Sequence, residues 1–158
     1  MTRIKKEKII RYQRYVPKHD FMKHWRVVRL WAMKRYEITE QNLEIILALY
    51  SEGLFTQRDF DMVVFTNNWS KKRLQNLIDA GWIHMFRKRQ SHEAAKYELT
   101  FYGRKMCASI YRKLTGEEQI PENRVNNPIF KASNDSYSNK KLRQAIKRVN
   151  KDMATLSR

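Results

Sequence analysis

The sequence predicts a mainly α-helical domain carrying one small β-ribbon, with a basic arm before it and a basic amphipathic helix after it. Three observations lead there. Apolar residues recur at helical spacing in successive segments. Most of these segments follow a residue able to cap a helix: Asp20, Thr39, Thr56 and Thr100. Two short β-prone runs, 82–88 and 96–99, flank a polar, charged loop.

Residues 20–36 read as the first helix. Asp20 caps it, and Phe21, Trp25, Val28, Ala32 and Tyr36 recur along one face. Met22, Leu30, Trp31 and Met33 fall on other faces, so the helix asks to be buried on several sides. One small core does not easily supply that, and a second subunit is expected to cover it. Thr39 caps a second helix with Leu43, Ile46, Leu47 and Tyr50, stopping at Gly53. Leu54 and Phe55 suit a short strand. Thr56 caps a third helix, with Asp59 as capping-box partner and Phe60, Val63 and Val64 inward. Thr66-Asn67-Asn68 breaks it. A fourth helix starts at Asn67, Asn68 or Ser70 and runs to Ala80, with Gly81 after it and Leu74, Leu77 and Ile78 inward. After the ribbon, Thr100 caps a fifth helix ending near Gly116. Residues 117–137, rich in Asn, Ser and Pro, read as a linker. In the last segment Leu142, Ile146, Val149, Met153 and Leu156 are spaced 4, 3, 4, 3, a short heptad seam flanked by Lys and Arg. It docks either within a dimer or on its own subunit.

Composition narrows the function. The chain has 158 residues, 33 Lys or Arg against 16 Asp or Glu, for a formal charge of +17. Segments 1–19 and 138–158 hold fourteen basic residues and two acids, +12 of that charge. Attraction to a polyanion therefore resides mainly in the ends, and the core supplies shape. Nucleic acid is the first explanation and an acidic membrane surface the second. One cysteine excludes an intrachain disulfide framework and a Cys-based zinc finger. No apolar run of about 18 residues occurs, so no membrane helix is expected. The basic start lacks the apolar stretch of a secretory signal, and a cytoplasmic protein is expected. The division is a basic arm, 1–19; a folded domain, 20–116; a linker, 117–137; and a basic helix, 138–158.

With Leu74, Leu77 and Ile78 inward, the fourth helix presents Lys71, Lys72, Gln75, Asn76 and Asp79 outward. Gln and Asn can pair bidentately with adenine in the major groove, and Lys can reach guanine or phosphate. An ordinary solvated helix face is the plain alternative. Thr56 and Gln57 begin the preceding helix and can offer a phosphate two backbone N–H groups, unless Thr56 is simply a cap. The arm interleaves its cations with Ile4, Ile9, Ile10, Tyr12 and Tyr15, and reads as a phosphate-contacting arm, a partner-facing helix or a solvated tail.

Helix, helix, short strand, helix, turn, helix, ribbon, helix is the order of a winged helix-turn-helix. Gly53-Leu54-Phe55-Thr56-Gln57, then Leu74, Leu77 and Gly81-Trp82-Ile83, then Leu99-Thr100-Phe101-Tyr102-Gly103 together resemble the MarR family of regulators, over about residues 20–116. In that family a glycine ends the recognition helix and an L-T-x-x-G motif follows the wing at a similar interval. The resemblance implies a dimeric, duplex-DNA-binding transcriptional regulator paired through its first, fifth and last helices. The apolar faces of the first and last helices put Trp25, Trp31, Leu142, Ile146, Val149 and Met153 at that expected interface, the last four of them outside the resemblance. One segment departs from the family. Near the wing tip, where members carry Asp-x-Arg, this chain reads Gln90-Ser91-His92-Glu93-Ala94, with a carboxylate in place of the arginine. Arg87, Lys88, Arg89 and Lys96 are the cations left to contact the DNA backbone.

Catalytic and metal signals are thin. His19 and His24 are five apart and do not share a helix face; Asp20 and His24 can form a surface ion pair. Cys107 lies among Met106, Ile110 and Leu114 and reads as a buried or half-buried thiol, with a redox role like that of some MarR members as the alternative. Trp25, Trp31, Met22 and Met33 serve packing or, as in ligand-responsive relatives, line an effector pocket. No cofactor and no enzymatic activity are expected. Two other readings stay open beside the regulator: an architectural nucleic-acid-binding protein, and a subunit of an RNA or protein assembly.

Overall fold

In the computed structural model, residues 19–65, 72–133 and 135–156 are described. Among them are six α-helices and a two-stranded antiparallel sheet. The helices are α1 (Phe21–Tyr36), α2 (Glu40–Tyr50), α3 (Gln57–Val64), α4 (Arg73–Asp79), α5 (Phe101–Thr115) and α6 (Tyr137–Leu156). The strands are β1 (Ile83–Arg87) and β2 (Lys96–Leu99). The basic arm before His19, the expected break at 66–68, the alternative caps Asn67, Asn68 and Ser70, and Lys71 lie outside the described residues.

Local capping explains most helix starts. The Asp20 carboxylate accepts from Lys23 N at 3.0 Å, and Thr39 Oγ1 from Asn42 N at 3.3 Å. Thr56 and Asp59 form a complete capping box at α3. Asp20 is thus occupied at the cap, and the expected Asp20–His24 surface pair gives way: His24 is buried, 3% exposed, with no hydrogen-bond partner at Nδ1 among the described residues. Helical spacing put the residue on the right side of α1, but that side is covered.

The stretch from α4 to α5 is tied together by backbone geometry. Gly81 has φ 81°, a left-handed conformation that lets the chain leave α4 and turn into β1. Thr100 Oγ1 donates to the Gly81 carbonyl at 2.8 Å and accepts from Gly103 N at 3.1 Å. One hydroxyl therefore caps α5 and fastens it to the end of α4. A Cβ on Gly103 would stand 3.0 Å from the Trp82 carbonyl oxygen, so α5 approaches this turn closely only because the residue is glycine. These contacts are the physical content of the Leu-Thr-x-x-Gly sequence at 99–103. The expected short strand at 54–55 is a single bridge: Phe55 and Tyr97 exchange backbone hydrogen bonds at 3.0 and 2.8 Å, adding a third strand position to the sheet.

Packing bears on two expectations. The segment 117–137 is not a free linker: Ile120 and Ile129 are buried in the common core. Its backbone is held by side chains that stand in for backbone partners. Asn150 of α6 accepts from Ile120 N and donates to Ile120 O, both at 2.9 Å. Asn127 donates to Pro121 O at 2.7 Å and accepts from Ile129 N at 3.1 Å. Arg143 Nε donates to Ile129 O at 2.7 Å. The second concerns the apolar stripes. α1 is packed by α2, α5, α6 and the 3₁₀ turn Pro128–Phe130, all of the same chain. Trp31, Ile146, Val149 and Met153 are buried there, and Trp25 and Leu142 are half-buried against the core. Residues 117–156 return across α1 and cover much of the surface that had called for a second subunit, while Phe21 and Met22 stay exposed.

Candidate nucleic-acid interface

α4 is oriented as its periodicity requires. Leu74 and Leu77 are buried and Ile78 half-buried, leaving Lys72, Gln75, Asn76 and Asp79 exposed. Arg73 points elsewhere and contacts Gln41 Oε1 of α2 at 3.3 and 3.4 Å, which pins the helix start against α2. Gln75 Nε2 donates to Asp79 Oδ1 at 2.8 Å. Its amide is thus held along the helix in the free protein and must break that bond to read a base edge. Lys72 caps nothing through its side chain, and its ammonium stands in solvent at the start of α4.

The start of α3 is a poorer phosphate site than the sequence suggested. Thr56 N and Thr56 Oγ1 both donate to Asp59 Oδ2, at 2.8 and 2.7 Å. Those bonds hold the Asp59 carboxyl below its ordinary range, so it is ionised at neutral pH. The Asp59 carboxylate already takes the Thr56 donors that a phosphate would use, and of the two readings Thr56 acts as the cap. Gln57 Nε2 donates to Asp61 Oδ1 at 3.0 Å. The same Gln57 borders a shallow cleft of about 430 Å³ shared with Arg89, Ser91, His92 and Glu93, which brings the start of α3 beside the ribbon tip.

The ribbon gathers the cations. Arg87, Lys88 and Arg89 are exposed, and Lys96 is partly exposed on the facing strand. The tip closes where Gln90 and Glu93 exchange backbone hydrogen bonds, both 3.1 Å. Glu93 at the tip pairs with Arg87. It neutralises one ribbon cation and leaves Lys88 and Arg89 nearest the tip. Glu98 on β2 faces His84 at 2.9 Å and Arg104 at 3.3 Å. The ladder runs Ile83–Leu99, His84–Glu98, Met85–Tyr97, then slips to Arg87–Lys96. Phe86 is the unpaired residue of that β-bulge and is 57% exposed. Alternation alone does not signal a bulge, and Phe86 was not singled out from the sequence.

The remaining titratable groups serve the interior. Cys107 is fully buried and its thiol is pushed up to about 12 by burial, which leaves essentially no thiolate at neutral pH. Lys113, 5% exposed, donates to Glu118 Oε2 at 2.8 Å and Ser109 Oγ at 2.9 Å, with its ammonium 4.6 Å from the Trp31 ring centroid. That contact fills the Trp31 position with a cation–π partner from α5 of the same chain. Among the described residues no helix is long and apolar enough to cross a membrane, and no group of three His, Cys, Asp or Glu is placed to hold a metal. No family model, curated protein or solved structure matches this chain.

Proposed function

We propose that the chain is a DNA-binding winged helix-turn-helix protein acting as a transcriptional regulator, with α3 and α4 as the helix-turn-helix and β1–β2 as the wing. The observation that carries the reading is the pairing of two exposed elements on one small scaffold. α4 offers Lys72, Gln75 and Asn76 with its apolar side sealed, and the adjoining ribbon offers Lys88, Arg89 and Lys96. The helix would enter the major groove while the ribbon follows the backbone. The net charge of +17 and the MarR-like order of motifs support the same reading. Lys71, just before α4, is proposed to join the phosphate contacts. Pairing of two copies rests on the family resemblance and on the apolar surface of Phe21 and Met22 that stays exposed, since the proposed interface residues are largely covered within one chain.

A second reading has its own support. Most of the charge lies in the two ends, Gln75 is tied to Asp79, and Glu93 neutralises Arg87 at the ribbon. Those features suit an architectural protein that holds duplex DNA with little sequence preference. Binding-site selection from random duplexes tests the choice. A recovered consensus, with Gln75→Ala and Asn76→Ala each losing about 1–3 kcal/mol of discrimination at one base pair, supports the regulator. Equal losses on every sequence support the architectural reading. Failure to bind any duplex at low salt, with retention of structured RNA, overturns both.

A further inference from the structure

We propose that Phe86 is a wedge that enters a base step of the bound duplex, an inference that rests on the DNA-binding reading above. A lone exposed apolar side chain is ordinary on a protein surface. Phe86 differs in where the backbone puts it. The slip between Met85–Tyr97 and Arg87–Lys96 leaves it without a ladder partner, and bulges re-aim the side chain they carry. The other face of the ribbon is already committed: Ile83 is buried and Tyr97 stacks on Phe55 with ring centroids 6.2 Å apart. Phe86 therefore adds nothing to the core while exposing an aromatic ring beside cations. Lys88 and Arg89 come just after Arg87, which Glu93 neutralises, and Lys96 lies across the ladder. Cations that hold phosphates beside an apolar ring form an arrangement by which proteins unstack and kink a duplex.

The consequence is a preference by deformability. A wedge must separate two stacked pairs, and pyrimidine–purine steps or mismatched pairs yield at least cost. The wedge also supplies what Glu93 removes, a side chain that engages the groove at the ribbon.

The test uses the full chain and two fluorescent duplexes of identical sequence, one intact and one with a single central T·T mismatch. Affinities are read by anisotropy at fixed low salt. Aromatic stacking on a base is worth about five- to hundredfold in affinity. The unmodified protein should hold the mismatched duplex about tenfold more tightly than the intact one. Phe86→Ala should bind both alike, and Phe86→Leu, which keeps an apolar wedge, should retain most of the preference. Far-UV circular dichroism should be unchanged in both variants. A preference that survives in Phe86→Ala, or none in the unmodified protein, overturns the wedge while leaving DNA binding intact. No binding to either duplex overturns the wedge and the DNA-binding reading together.

Discussion

Burial holds the His24 imidazole below its ordinary range, and the nearby His19 and Lys23 act in the same direction against Asp152 and Asp20. The unfolded chain then takes up that proton before the folded one does. Stability contributed by neutral His24 is present above the ordinary histidine value of 6.5 and is lost as pH falls from there through the lowered folded value. The melting temperature should decline on acidification below about 6.5. His24→Leu should flatten that part of the curve; an unchanged slope would place the titration elsewhere. Gly103 makes a second residue-scale case. Alanine gains about 1 kcal/mol of helix propensity over glycine, but its Cβ would press on a Trp82 carbonyl that Thr100 N holds at 3.0 Å. Overpacking costs about 1–3 kcal/mol, so Gly103→Ala should lower stability by about 1 kcal/mol net in urea unfolding, and Gly103→Val by more.

At the scale of elements, the segment between α5 and α6 depends on Asn150. It accepts and donates at Ile120 and donates to Glu122 Oε1 at 2.8 Å. Asn150→Leu preserves bulk but leaves the buried Ile120 backbone without partners. Unsatisfied buried groups cost about 1–3 kcal/mol each, so a loss of about 2–4 kcal/mol is expected from equilibrium unfolding. A loss under about 1 kcal/mol would mean that water replaces the clamp. The Asn150 clamp also marks where legibility in the sequence stops. Asp20, Thr39, Thr56 and Thr100 were legible as caps because each bonds within three residues of itself. The inward face of α4 was legible because helical period is local. Asn127 and Asn150 were not: an asparagine that replaces backbone partners looks like any loop or surface asparagine, and the Asn150 partner Ile120 lies thirty positions away. The capping box was legible too, but not its effect of placing a carboxylate where a phosphate was expected. The bulge at Phe86 depends on how two strands meet across the ribbon loop, which composition does not record.

For the whole molecule, periodicity identified the stripe on α6 and the many-sided burial of α1, but a stripe does not name the surface that covers it. Here the covering surface is the chain itself. That changes how the charged ends can be probed: deleting α6 would remove the buried Ile146, Val149 and Met153 and uncover the side of α1 that they pack. Its outer cations can be neutralised instead. Lys140, Lys147, Arg148 and Lys151 are exposed, and among the described residues Lys140 pairs with Asp135 at 3.2 Å. Changing all four to Gln leaves the apolar stripe in place, and removal of residues 1–16 takes away only chain outside the described fold. If these ends hold phosphates, the slope of log K against log salt should flatten by about 0.9 for each phosphate that the variant leaves unneutralised. The α6 substitutions and the truncation should add, because they alter separate segments. Affinity measured across a salt series gives the outcome directly. A slope unchanged in both variants would move the electrostatic footprint onto α4 and the ribbon, where few cations remain unpaired. The total slope of the unmodified protein should then be shallow as well. A steep parent slope together with unchanged variants would contradict both assignments at once and point to the cations of α1 and α5.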